Sequence, residues 1–122
     1  MGKKILIVDD SATVRQQVAA ALTPAGFSMV EAGDGLEGVK AIAGNSDLGM
    51  VFCDVNMPNM NGLEMIEAVK TKPENKGLPI IMLTTEGQPA MIKRAKAAGA
   101  MGWIVKPFKT EQLVATAKKL AG

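Results

Sequence analysis

A chain of 122 residues with 48% apolar side chains and a mean hydropathy of +0.15 has the size of one domain with one good core, and is too apolar to be disordered. Its net charge of +2 is small and evenly scattered, which gives no electrostatic footprint for nucleic acid. No apolar run is long enough to span a membrane, and the run after Lys4 is too short for a secretion signal, so the expected location is the cytoplasm. Histidine is absent and Cys53 is the single cysteine. That excludes histidine-based triads, histidine metal sites and an internal disulfide, and leaves carboxylates, lysines and hydroxyls as the reactive groups.

Lys4–Val8 reads as a buried strand that ends in two acids, Asp9 and Asp10. Ser11 is placed to cap a helix whose apolar stripe is Val14, Val18, Ala21 and Leu22, ended by Gly26 after Pro24. Phe27–Ala32 mixes polar and apolar residues and reads as an edge strand. Asp34 caps a second helix, expected to carry Leu36, Val39, Ile42 and Ala43 on one face and to stop at Gly44-Asn45. Met50–Asp54 is an uninterrupted apolar run closing on a carboxylate, the pattern of a strand buried on both faces. The Pro, Asn and Gly residues from Val55 to Gly62 make the loop beyond it.

A third helix is expected from about Gly62 to Lys72 with Leu63, Ile66 and Val69 inward. Pro79–Leu83 is another buried strand, ending in Thr84-Thr85. Pro89 suits the first turn of an Ala-rich fourth helix that ends near Gly99. Trp103–Val105 is a short strand ending in Lys106-Pro107, and Thr110 is placed to cap a last helix with Leu113, Val114, Ala117 and Leu120 inward. Strands alternating with helical crossovers specify an α/β fold, (βα)5, with a parallel sheet and helices on both faces. No repeat or composition shift marks a second domain, so residues 1–122 read as one domain with no output domain attached. The nine methionines and Cys53 read as core filling.

The functional signal is what the strands end in. Asp9-Asp10, Asp54, Thr84-Thr85 and Lys106 all fall on one edge of a parallel sheet, the edge where such sheets bind ligands. Two carboxylates ~4 Å apart repel by about 4 kcal/mol at an effective dielectric near 20, so such a site needs a proton or a cation. An all-oxygen set favours a hard ion such as Mg²⁺ over zinc. Asp54 beside such an ion is placed to attack a phosphoryl group, with Thr84 and Lys106 available to its oxygens.

These residues give the chain a resemblance to the receiver domains of the two-component response-regulator family, in the stand-alone form used in chemotaxis. The likeness covers nearly the whole chain: Asp9-Asp10 after the first strand, Asp54 with Met57-Pro58 and Gly62 beyond it, Thr84, and Lys106-Pro107-Phe108. The intervals from Asp54 to Thr84 and to Lys106 also fit. The resemblance implies a flavodoxin-like doubly wound sheet of strand order 2-1-3-4-5. It implies that Asp54 is the phosphoacceptor, supplied by a phosphohistidine on a histidine kinase. Asp10, Asp54 and the backbone carbonyl of Asn56 are then direct ligands of Mg²⁺, with Asp9 acting through water. Thr84 and Trp103 hold the family's two switch positions, Lys106 contacts the phosphoryl group ahead of a cis bond to Pro107, and Asn56 and Glu86 bear on phosphoryl lifetime. Trp103 stands where Tyr or Phe is usual. Thr85 stands where a small residue is usual and can narrow the entrance. The implied product is a monomeric switch, not an enzyme beyond gaining and losing its own phosphoryl group. Its output is expected through the fourth helix, fifth strand and fifth helix to a flagellar motor switch component, or else as a phosphate sink or relay. A Mg²⁺-dependent phosphohydrolase fits less well, because Val8-Asp9-Asp10-Ser11 lacks an Asp-x-Asp spacing. A flavodoxin-like carrier lacks its phosphate loop after the first strand.

Overall fold

The computed structural model describes residues 3–85 and 89–121. In chain order these are β1 (Lys3–Val8), α1 (Ala12–Leu22), β2 (Phe27–Ala32), α2 (Gly35–Gly44), β3 (Leu48–Asp54), α3 (Gly62–Lys70), β4 (Ile80–Thr84), α4 (Pro89–Ala98), β5 (Gly102–Val105) and α5 (Thr110–Leu120). The strands form one parallel sheet, as their alternation with helices predicts, in the order β2-β1-β3-β4-β5 that the family resemblance implies. Alternation along each strand divides the core into two layers. Ile5, Ile7 and Phe52 pack with Val18 and Leu22 of α1 and Leu113 and Ala117 of α5. Leu6, Val8, Val51 and Met82 pack with Ile42 of α2, Leu63 and Ile66 of α3, and Ala95 of α4. A fully buried side chain of this size stabilises the fold by about 1.5–3 kcal/mol, so the central strands are its most strongly held part. Cys53 lies wholly inside this second layer, and burial pushes its thiol well above the ordinary range. It is a core side chain, as expected.

Four local expectations are corrected. Leu36 is 48% exposed and Ala43 is also exposed. The buried line of α2 is Gly35, Gly38 and Ile42, because Gly38 lets the helix settle onto Val8 and Met65. The α1 helix stops at Leu22, since Pro24 lacks an N–H to continue it, and a 3-10 turn Thr23–Ala25 leads to Gly26 at φ 99°. The α3 helix ends at Lys70, with Thr71 as its C-cap. Thr110 is not the cap of α5 but its first residue. Lys109 holds the cap position in extended conformation, without a side-chain bond. Ser11 and Asp34 do cap α1 and α2, accepting from Val14 N and Glu37 N.

Gly62 positions the far end of the β3–α3 loop. Its N–H donates to Val55 O at 2.9 Å, and a Cβ there would collide with the Asp54 carbonyl oxygen. Gly62→Ala should therefore lower the stability measured by urea unfolding by about 2–3 kcal/mol. Gly44→Ala, where a Cβ meets nothing within 4 Å, should hold stability or gain up to about 0.5 kcal/mol in the same assay.

Candidate functional site

The C-terminal ends of β1, β3, β4 and β5 bring the sequence's chosen residues together. Asp9 follows β1 and is 1% exposed. Its carboxylate Oδ1 accepts from Ser11 N at 2.9 Å, which turns the chain into α1. Asp10 is exposed beside it. Asp54, the last residue of β3, is buried, and its Oδ1 accepts from Val55 N at 2.9 Å. Oxygen atoms of Asp9, Asp10 and Asp54 all lie within 4.8 Å of one another, the only such cluster among the described residues.

Across from them Lys106 Nζ lies 2.9 Å from Asp9 Oδ2 and 3.4 Å from Asp54 Oδ1. Its backbone N–H donates to Thr84 O at 2.6 Å, tying the β5 end to β4, and its bond to Pro107 is cis. Thr84 is 1% exposed. Thr85 is exposed and lines a groove of about 640 Å³ together with Val14, Gln17, Lys106 and Phe108.

The electrostatics follow from this arrangement. Burial raises the pKa of Asp54 above its ordinary value, the Asp9 charge adds to that, and Lys106 works against it. Burial also opposes the Lys106 ammonium. The hydrogen bond to Asp9 and the charges of Asp54 and Asp9 outweigh it, so the lysine stays charged with a raised pKa. Carboxylates up to 4.8 Å apart repel by about 3.5 kcal/mol per pair at an effective dielectric near 20, and one lysine offsets only part of that. The donor set fits Mg²⁺: it is all oxygen, and ligands on one such ion lie at most about 4.2 Å apart, so small side-chain adjustments close it.

Trp103 is partly buried against the layer that holds α2, α3 and α4. Its indole Nε1 is buried without a hydrogen-bond partner among the described residues. Asn56 is exposed on the β3–α3 loop. Glu86 lies outside the described residues. Sequence reasoning missed Arg15, whose Nη1 donates to the Asp9 carbonyl at 2.7 Å while Nε donates to Glu31 Oε1 at 2.9 Å. It also missed the bond from Asn59 Nδ2 to Asp34 Oδ2 at 2.7 Å. Asp34 carried a signal only as a helix cap. A partner 25 residues away in sequence has no local signature.

Because the folded pKa of Asp54 is raised, this group contributes stability below its unfolded value, and that contribution is lost as pH rises through the folded value. At neutral pH its ionised form therefore costs stability in the metal-free fold. Asp54→Asn should raise stability in EDTA at pH 7.5 by about 1 kcal/mol. The gain should shrink toward zero near pH 4, as the wild-type carboxyl takes up its proton. Urea unfolding at the two pH values measures both.

Comparison with known proteins agrees with this geometry. The family model described as the response regulator receiver domain matches residues 5–118. The chemotaxis protein CheY homologue of Campylobacter jejuni is 40% identical over 111 residues, covering 90% of this chain and 85% of that protein. Chemotaxis protein CheY1 of Helicobacter pylori is 40% identical over 111 residues, covering 90% of each. The solved structure of chemotaxis protein CheY4 of Vibrio cholerae superposes with a TM-score of 0.91 at 40% identity, covering 98% of this chain and 99% of that one. The CheX–CheY–BeF3–Mg²⁺ complex of Borrelia burgdorferi matches with a TM-score of 0.88 at 27% identity, covering 96% of this chain and 87% of that one. No helix among the described residues is long and apolar enough to cross a membrane. With its sheet order, its strand-end residues and these likenesses in agreement, the chain belongs to the response-regulator receiver family, as a CheY-like signalling domain of phosphorylation-based two-component systems.

Proposed function

We propose that this receiver domain is a switch whose phosphoacceptor is Asp54. The observation that carries the reading is the convergence of Asp9, Asp10 and Asp54 with Lys106 at one end of the sheet. Asp54 Oδ1 is engaged by Val55 N and Lys106, so Oδ2 is the oxygen assigned to attack. A bond forms from Oδ2 to the phosphorus of a kinase phosphohistidine while the nitrogen–phosphorus bond breaks, and the electron pair leaves on the imidazole nitrogen. Asp10, Asp54 and the Asn56 carbonyl would hold Mg²⁺ directly, with Asp9 behind a water. The ion supplies neutralising charge for carboxylates and phosphoryl oxygens.

Lys106 Nζ and the Thr84 hydroxyl are assigned to the phosphoryl oxygens, each making a charge-assisted hydrogen bond. Recruiting Thr84 changes the packing beside Trp103, since Met82 and Thr84 of β4 run alongside Trp103 and Val105 of β5. A phosphoryl group can shift such an equilibrium only by its differential affinity for the two arrangements. The output surface is then α4, β5 and α5, where Met101 and Val105 are 57% and 49% exposed. A flagellar motor switch component is the partner this reading assigns, consistent with the chemotaxis relatives. Asn56 and Glu86 are the side chains assigned to phosphoryl lifetime.

Intact-mass analysis after incubation with a small acyl phosphate tests the assignment. One phosphoryl group should appear on the wild type with Mg²⁺, and none with EDTA or in Asp54→Asn. Equal labelling of the wild type and Asp54→Asn would remove Asp54 from the mechanism.

A further inference from the structure

The loop that follows the phosphoacceptor is held in an unusual shape by a helix outside the site. Asn59 has φ 66°, and Met60 N donates across it to Pro58 O at 2.7 Å. This is a three-residue γ-turn with its centre in the left-handed region, a form that is rare and strained. Such a conformation persists only where its surroundings over-determine it.

The surroundings here are the first residues of α2. Asn59 Nδ2 donates to Asp34 Oδ2 at 2.7 Å, while the other oxygen of Asp34 accepts from Glu37 N at 2.9 Å to cap the helix. Gly35 N donates to Met60 O at 3.0 Å. A Cβ on Gly35 would collide with that carbonyl, so the approach needs glycine. Both oxygens of one carboxylate are thus used, one for the helix and one for the loop.

We infer that Asp34 and Asn59 are positioning residues: the α2 terminus clamps the strained turn at Asn59 and thereby fixes the loop segment that carries Asn56. The inference rests on the proposed reading of the site, in which the Asn56 backbone carbonyl is a metal ligand. Neither side chain touches the reacting atoms. Their effect passes through the backbone from residue 59 to residue 56, as outer partners of a metal site act through its ligands.

The test is calorimetric titration of the full chain with Mg²⁺ alone, with the urea midpoint in EDTA read on every variant. Asn59→Gly keeps the backbone freedom of the turn but removes the tether, and should weaken Mg²⁺ binding roughly tenfold. Asn59→Asp sets two carboxylates against each other and should weaken it comparably, although it adds negative charge near the cation. Adding Asp34→Asn to Asn59→Asp restores a donor opposite an acceptor, with the helix still capped, and should bring affinity back to within about twofold of wild type. A purely structural role would lower the urea midpoint in EDTA in step with affinity, and that result overturns the inference. So does Mg²⁺ affinity unchanged within about twofold in both Asn59 variants. A wild type that takes up no Mg²⁺ overturns the metal-site reading itself, a failure visible before any variant is compared.

Discussion

The contact on which the site depends is that of Lys106 Nζ with Asp9 and Asp54, at 2.9 and 3.4 Å. Two buried carboxylates at adjacent strand ends are untenable without a partner, because desolvation and mutual repulsion act in the same direction. The lysine that answers them lies 97 residues from Asp9 in sequence. Only the assembled sheet brings it there. Lys106 is held at the backbone by Thr84 O, so the end of β4 sets its place. Fold and charge balance are therefore one problem. The order β2-β1-β3-β4-β5 puts β3 between β1 and β4 with β5 beyond, so Asp54 lies beside Asp9 while Lys106 reaches back from the end of β5 to both carboxylates.

Around this centre the supports sit outside the pocket. Arg15 of α1 holds the Asp9 carbonyl and Glu31 at the end of β2. Asp34 at the start of α2 holds the β3–α3 loop. Trp103 differs from these, because its buried indole N–H has no partner among the described residues. An unsatisfied buried donor costs about 1–3 kcal/mol, so packing rather than hydrogen bonding keeps the ring where it is.

Much of this could be read in the sequence, for reasons that differ by element. Met50–Asp54 and Lys4–Val8 are legible because strands buried on both faces must be continuously apolar, and each run stops at an acid. Asp54, Asp9, Asp10, Thr84 and Lys106 follow from topology, since a parallel sheet gathers its strand ends on one edge. Leu36 was misplaced because an apolar count favours it over Gly38, whereas the helix approaches the sheet where side chains are absent. Thr110 looked like a cap by residue type, yet the chain leaves β5 through Pro107 in a path that puts Lys109 at that position. The Asp34–Asn59 bond joins two loops that meet only after α2 and α3 have packed, and no local pattern foretells it.

The central claim is that the metal-free pocket holds an excess of negative charge that Lys106 only partly offsets. A double-mutant cycle of Lys106→Met and Asp54→Asn, read by urea unfolding in EDTA at pH 7.5, measures it directly. The account predicts that Lys106→Met costs about 2–3 kcal/mol in the wild-type background. It predicts at least about 1 kcal/mol less once Asp54 is Asn. Effects of the two substitutions that add independently to within about 0.3 kcal/mol would contradict it.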